Sequence, residues 1–109
     1  MSGEFERLFP EVLRSFDSAS LTGSFQALGT PLVHACVILK FTNNSGSLVT
    51  LSWDGVNNHE ILLPNAFVLI DIQSNAESPG QCAVPAQTQF YVKGATSTGL
   101  IYLSAYFTR

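Results

Sequence analysis

Residues 100–107 have the sequence Leu-Ile-Tyr-Leu-Ser-Ala-Tyr-Phe, the most regular pattern in the chain. One side of this stretch would carry Ile101, Leu103, Ala105 and Phe107, and the other Leu100, Tyr102, Ser104 and Tyr106. Alternation with a period of two predicts a β-strand with one side in a core. Because the second side holds two tyrosines and a leucine, we expect another surface to cover it. Tyr102 and Tyr106 are therefore predicted interface residues.

Upstream of this strand, the chain from Phe25 onward consists of similar short runs separated by turn-forming residues. Strands are predicted over Phe25–Leu28, Val33–Thr42, Ser47–Trp53, His59–Leu62, Ala66–Gln73, Gln81–Val84, Thr88–Lys93 and Leu100–Phe107. Breaks at such even spacing are typical of an antiparallel β-sandwich or jelly roll. The runs 37–39 and 67–70 are apolar at every position, which favours strands without a solvated side. The prediction is an all-β fold, with a β-sandwich domain over residues 25–109.

Length and composition exclude several classes of protein. The chain has 109 residues, enough for one domain, with 46% hydrophobic and 12% charged residues and a net charge of -3. It is too apolar for a disordered protein, and its net negative charge argues against sequence-independent electrostatic binding to nucleic-acid phosphates. No apolar run approaches the roughly 18 residues of a membrane helix. The acidic segment 1–10 does not have the pattern of a secretory signal. We expect no nucleic-acid or membrane partner.

Charge is concentrated at the start of the chain. Residues 1–20 hold six of the thirteen charged residues, so the rest of the surface must be uncharged polar or apolar. Protein–protein interface cores are depleted in charge in the same way. A surface that is merely rich in serine and threonine explains the composition equally well.

The first 24 residues follow a different pattern from the rest. Apolar residues recur at the spacing of one helix face, at Phe5, Leu8, Phe9, Val12, Leu13 and Phe16. This spacing predicts a short amphipathic helical arm that Pro10 kinks or begins. Residues 18–24 are rich in serine, threonine and glycine and are predicted to be a flexible connector.

Two interpretations of the arm remain open. The helix folds back and closes the core of its own domain, because small domains need all the core available. Alternatively, the apolar stripe docks on a neighbouring subunit, which a flexible tether favours because it gives reach. In the second interpretation the six apolar residues of the stripe form an interface.

Residues suited to catalysis or metal binding are few. Cys36 and Cys82 lack the spacing of a redox or zinc motif and are expected to be buried free thiols. Together with His34 and His59 they match no common zinc module. No nucleophile motif or phosphate-binding loop is present in the sequence. We therefore predict that the protein is not an enzyme and uses no cofactor or metal.

The turn at residues 53–58, Trp-Asp-Gly-Val-Asn-Asn, is the most distinctive local feature. An exposed Trp53 beside Asp54, Asn57 and Asn58 would suit a sugar or Ca²⁺. The favoured alternative is a hairpin tip whose Trp53 packs on the sandwich edge, because Asp and Asn are the residues that turns require.

Six segments of the β domain follow one another in a distinctive order. They are Ala-Leu-Gly-Thr-Pro-Leu (27–32), Ile-Leu-Lys-Phe-Thr-Asn-Asn (38–44), Val-Thr-Leu-Ser-Trp-Asp-Gly (49–55), Leu-Leu-Pro-Asn-Ala-Phe-Val-Leu (62–69), Thr-Gln-Phe-Tyr-Val-Lys-Gly (88–94) and Thr-Gly-Leu-Ile-Tyr-Leu-Ser (98–104). This ordered set resembles small virion structural proteins of short-tailed bacteriophages. The resemblance covers about residues 25–107. It departs from the family at Asn65-Ala66, where the family often has a small residue and glycine.

The resemblance implies a β-sandwich without enzymatic activity that is assembled into the virion in the host cytoplasm. The leading hypothesis is a homo-oligomeric capsid cement or decoration protein in contact with the major capsid protein. A neck, tail or fibre-attachment subunit is the alternative within this class. A carbohydrate-binding module that uses the Trp53 turn is the alternative outside it.

Overall fold

The described part of the chain contains nine β-strands, arranged in two antiparallel sheets. The computed structural model describes residues 8–71 and 83–108. The strands are β1 (Leu8–Pro10), β2 (Arg14–Asp17), β3 (Gln26–Ala27), β4 (Ile38–Ser45), β5 (Val49–Ser52), β6 (Glu60–Leu62), β7 (Ala66–Asp71), β8 (Tyr91–Gly94) and β9 (Gly99–Thr108). A single 3₁₀ turn at Ser18–Ser20 follows β2.

The larger sheet is built around β9, the longest strand. One edge of β9 pairs with β4, which in turn pairs with β7, and the other edge pairs with β1 and then β2. This five-stranded sheet (the large sheet) packs on a four-stranded sheet with the order β3-β8-β5-β6 (the small sheet). The predicted all-β antiparallel sandwich is confirmed.

A continuous cluster of apolar side chains fills the space between the sheets. The inward side of β9 is buried as its alternation predicted, from Ile101 to Phe107. Phe41 of β4 meets Phe90 edge to face, with ring centres 5.1 Å apart. Burial of these side chains removes apolar surface from water and is the main stabilising contribution to the fold.

A buried amide ties the two sheets together. Asn43 of β4 is fully buried. Its Nδ2 donates to the carbonyl oxygens of Ser47 at 2.8 Å and of Leu62, in β6, at 3.2 Å. Its Oδ1 accepts from the backbone N–H of Ser45 at 3.2 Å. Because both ends of the amide have partners, burial of this polar group is compensated, and its bonds fix the chain reversal after β4.

The predicted N-terminal helix is wrong for the residues that the structure describes. Leu8–Pro10 and Arg14–Asp17 are strands β1 and β2, hydrogen-bonded to the same edge of β9. The following segment, predicted as a flexible connector, is bonded to the sandwich. Ser18 Oγ donates to the Gly99 carbonyl at 2.8 Å, and the Gly94 N–H donates to the Thr22 carbonyl at 2.9 Å.

A β-bulge explains the helix-like spacing. Pro10 lies opposite Tyr106 and Arg14 opposite Leu103, so residues 11–13 face only residues 104–105 of β9. The extra residue reverses the phase of the alternation, as bulges do. Phe9 and Phe16 both pack toward the core although they are an odd number of positions apart. An edge strand also tolerates Pro10, because its missing N–H would face away from the sheet.

The start of β4 also differs from the prediction. The strand was expected from Val33 but begins at Ile38. The backbone N–H groups of Val33 and His34 donate instead to the Glu11 carboxylate, at 3.2 and 2.6 Å. Between this turn and β4, Cys36 forms an isolated bridge with Val84. The rest of the predicted strand at residues 81–84 lies largely outside the described residues.

Replacement of Gly99 by alanine is expected to destabilise the fold. Gly99 has φ +109, and an added Cβ would overlap the carbonyl oxygen of Asn44 in β4. We expect the free energy of unfolding to fall by at least about 2 kcal/mol, measured by urea denaturation. Gly23→Ala is the control, since a Cβ there meets nothing within 4 Å. Equal stability of the two variants would contradict this account.

Candidate functional site

The large sheet has one face on the core and one face that no other described element covers. We call the second face the outer face. Its residues are Leu8, Pro10, Leu13 and Ser15 from the first two strands and the bulge, Leu100, Tyr102, Ser104 and Tyr106 from β9, Ile38, Lys40 and Thr42 from β4, and Phe67 and Leu69 from β7. The strand register places these side chains in rows across the sheet.

Three rows define the middle of the outer face. In the first, Tyr102 lies between Ser15 and Thr42, with Phe67 beyond Thr42. In the next, Lys40 lies between Ser104 and Leu69.

In the third row, Ile38 lies between Tyr106 and Asp71, with Pro10 on the far side of Tyr106. Every row therefore combines apolar or aromatic side chains with polar or charged ones.

Large apolar side chains are well exposed on the outer face. Phe67 is 59% exposed, Leu69 and Leu13 are each 55% exposed, and Leu8 is 50% exposed. The charged side chains on this face, among the described residues, are Lys40 inside it and Asp17 and Asp71 at its rim. Lys40 Nζ lies 4.8 Å from the centre of the Phe67 ring, a cation–π contact. Low charge and exposed apolar groups are the composition of an interface core.

The structure separates the predicted interface residues into three groups. Leu8, Leu13, Tyr102 and Tyr106 come together on the outer face, although Leu8 and Leu13 lie on strands and not on a helix. Phe9 and Phe16 pack toward the core. Val12 is 85% exposed on the bulge, at the edge of the sheet. Phe5 lies outside the described residues.

Phe67 and Leu69 are two exposed apolar residues of the outer face that were not predicted as interface residues. Their signal was the apolar run at 67–70, which indicated a strand without a solvated side. In β7, Val68 and Ile70 pack on the core while Phe67 and Leu69 point away from it. The run therefore marked an exposed apolar surface.

A second feature lies at the bulge, where charged side chains are buried beside a cavity of about 450 Å³. Glu11 and Arg14 side chains are 2% and 5% exposed, and Arg14 Nη2 donates to Glu11 Oε1 at 2.9 Å. Arg14 also donates from Nε to the Thr30 carbonyl at 2.7 Å and from Nη2 to the Pro31 carbonyl at 2.8 Å. Gly29 makes room for this arrangement, because a Cβ there would lie 2.7 Å from Arg14 Cβ.

Glu11 joins the bulge to the turn before β4. Its Oε2 lies 2.7 Å from His34 Nδ1, and the His34 ring stacks on Phe107 with ring centres 3.6 Å apart. Burial on its own would raise the pKa of Glu11. Hydrogen bonds from the His34 side chain, from the Val33 and His34 N–H groups and from Arg14 outweigh burial and lower the pKa below its ordinary value. The ionised carboxylate is therefore a fully partnered structural group.

This cluster offers no activated nucleophile among the described residues. Cys36 is fully buried, and burial, followed by the charge of Glu11, raises the pKa of its thiol to about 11. A thiol with that pKa is protonated at neutral pH, and the thiolate is the reactive form. In the described residues no group of three or more His, Cys, Asp or Glu side chains could hold a metal ion. Cys82 lies outside those residues.

The Trp53 turn has the geometry of a hairpin tip. Trp53 is half-buried and meets Phe90 edge to face at 5.1 Å. Asp54 Oδ1 accepts from the N–H groups of Val56 at 2.8 Å and Asn57 at 2.9 Å, and Oδ2 accepts from Asn57 Nδ2. These bonds, the Asn57 N–H first, lower the pKa of Asp54 well below its ordinary value. The carboxylate is occupied within the turn, which favours the structural interpretation.

Comparison with known proteins gives few relatives. No family model matches the sequence. Over 97 residues, 89% of this chain, it is 33% identical to the ATP-binding cassette sub-family A member 2 of Rattus norvegicus, but the chain spans only 4% of that protein.

Solved structures give distant similarities. A structure of Bacillus endospore appendages, a family of disulfide-linked pili, aligns with a TM-score of 0.45 and 9% identity over 99% of this chain and 94% of that chain. The SPBc2 prophage-derived protein YomS aligns with a TM-score of 0.41 and 12% identity over 93% of this chain and 96% of that chain. Within the described residues, none of the helical segments has the length and hydrophobicity that a membrane span requires.

Replacement of Glu11 by glutamine is expected to weaken the fold in a pH-dependent way. At pH 7 the substitution leaves Arg14 without its buried partner, which costs about 3 kcal/mol of unfolding free energy. Because the pKa of Glu11 is lowered in the folded state, its contribution is present above the ordinary pKa near 4.5 and is lost as the pH falls below it.

The difference between wild type and Glu11→Gln should therefore shrink toward pH 3, as measured by urea denaturation at pH 7, 5 and 3. Glu60→Gln is the control, because Glu60 is exposed on β6. A pH-independent deficit, or one as small as that of the control, would contradict a structural role for the Glu11 carboxylate.

Proposed function

We propose that this protein is a structural subunit of a virus particle, with a role in cementing or decorating a bacteriophage capsid. The observation that carries the proposal is the outer face, a charge-poor surface of exposed leucines, a phenylalanine and two tyrosines. Monomeric proteins seldom expose an apolar surface that extends over a whole sheet. The resemblance of residues 25–107 to virion structural proteins of short-tailed phages gives the class of assembly.

The mechanism is stabilisation by burial. Each subunit that docks through its outer face removes apolar surface from water at a joint of the shell, at about 25 cal/mol per Å². Only the surplus over the entropy lost on association contributes to binding. Repetition at every symmetry-related joint makes the total contribution large and raises the resistance of the shell to internal pressure.

The geometry offers less support for catalysis or for binding of a sugar or Ca²⁺. The carboxylate that lines the bulge cavity has only internal partners, and the nearby Cys36 thiol is fully buried and protonated, so neither is an activated group for catalysis. In the Trp53 turn, the Asp54 oxygens needed to bind a sugar or Ca²⁺ are engaged by the turn itself. A neck, tail or fibre-attachment subunit would use the outer face equally well, and its copy number separates it from a shell protein.

The proposal predicts that the protein is recovered with purified virus particles. Quantitative mass spectrometry of particles from cells that make the protein should give hundreds of copies per particle for a shell protein. A number of about a dozen or fewer would move the protein to the portal axis. Its absence from particles that form in the same cells would contradict a virion role.

Charges on the outer face should abolish incorporation. The double variant Phe67→Asp with Leu69→Asp is expected to reduce the copies per particle at least about tenfold, because unpaired charges would be buried at the joint. Leu48→Asp with Val56→Asp is the matched control, since both side chains are exposed outside the outer face. Phe9 is not suitable for this test, because its ring packs on Phe107 at 5.7 Å and a charge there would destabilise the fold itself. Equal incorporation of the two double variants would contradict a docking role for the outer face.

A further inference from the structure

We infer that the outer face binds a second copy of this chain, face to face, across a two-fold axis that runs along the strands between β9 and β4. The inference rests on the assembly role proposed above, because it concerns the same face, and it makes the joint that this face forms a contact between two copies of the chain. It is carried by the order of the side chains across the sheet and by the position of Lys40, the one cation that the described residues place within the face.

The outer face is large enough for such a contact. Neighbouring strands are about 4.8 Å apart and residues along a strand about 3.3 Å apart. By these spacings, the four strand positions across the sheet and the length of β9 give a face of roughly 500 Å² in projection. Accessible surface exceeds projected area on a face of protruding side chains, so the face approaches the roughly 800 Å² per partner of a standard interface.

The position of Lys40 selects the axis. A two-fold axis that relates two such faces lies in the plane between them, and it runs either across or along the strands if the strands of the two sheets are to stay aligned, as in packed sheets. An axis across the strands through the central row would place Lys40 against its own copy, and two like charges would be buried together. An axis along the strands between β9 and β4 places Lys40 against Ser104 of the second copy. There it is flanked by the rings of Tyr102 and Tyr106 of that copy, which favours a cation.

The same axis matches the other side chains row by row. Positions on β4 meet positions on β9 of the second copy, so Ile38 meets Tyr106 and Thr42 meets Tyr102. Positions on β7 meet the bulge region, so Leu69 meets Leu13. These pairs join apolar or aromatic groups to each other, and small polar groups to tyrosine hydroxyls. Twist would rotate the two sheets by about 30° without exchanging the rows.

The charge of the face also permits a second copy. Among the residues that the structure describes, Lys40 inside the face and Asp17 and Asp71 at its rim sum to a single negative charge. The repulsion between two copies of the described outer face is therefore small. At physiological salt, charges farther than about 8 Å are largely screened.

The test is a charge exchange between two positions that meet only in this arrangement. Leu69→Lys and Leu13→Asp should each raise the dimer dissociation constant at least about 30-fold in sedimentation-velocity experiments, because each buries an unpaired charge. The double variant Leu13→Asp with Leu69→Lys should restore dimerisation to within about tenfold of the wild type, because each charge then meets its opposite on the other copy. Thermal unfolding followed by circular dichroism verifies that all three variants are folded.

Leu48→Lys with Val56→Asp adds the same two charges outside the outer face and should leave the dimer unchanged. A wild-type chain that stays monomeric at 100 µM (about the concentration at which a weak dimer forms) would overturn the inference. So would a double variant no better than the worse single one. If particles nevertheless incorporate the monomer, the proposed function stands and only the second copy is wrong. If the dimer forms but particles lack the protein, the reverse holds.

Discussion

One extra residue between β1 and β2 determines which side chains of the edge strands are buried and which are exposed on the outer face. The bulge turns Glu11 and Arg14 toward the turn before β4 and leaves Leu13 beside Ser104 and Tyr106. A buried ion pair is expensive because both groups lose water. Here the cost is offset by bonds to backbone groups of residues 30–34, so the same bonds hold the edge strand against the loop. The apolar outer face depends on that anchoring, since Leu8 and Leu13 belong to the anchored edge.

Much of the fold could be predicted because most strands have a continuous core on one side. The alternation in β9 required only local pattern, and its inward residues are those that the core buries. The edge strands could not be predicted in the same way. A bulge makes the apolar spacing of residues 8–16 imitate a helix, and nothing in the local sequence distinguishes the two. The strand predicted from Val33 was wrong at its start for a long-range reason. The backbone N–H of His34 donates to the carboxylate of Glu11, 23 residues upstream, and so is not available to a strand.

The outer face was partly visible in the sequence and the buried cluster was not. Tyr102 and Tyr106 could be predicted because aromatic side chains are seldom placed on the solvated side of a strand. Leu8 and Leu13 belong to the predicted interface, although the predicted secondary structure there is wrong. Glu11 and Arg14 resembled the polar side of an amphipathic helix, where charges are solvated. Only the packing of distant segments reveals that they are buried, and no spacing within residues 8–17 encodes that contact.

The pairing of Leu8 with Thr108 has a mechanical consequence. The start of β1 and the end of β9 lie side by side at one corner of the large sheet. A force that pulls Leu8 and Thr108 apart would therefore break the hydrogen bonds between β1 and β9 one after another. A force applied through the outer face is instead shared by all the strands of the large sheet, so that no single hydrogen bond breaks first. A chain anchored by its face would therefore withstand tension that a chain held by its ends would not.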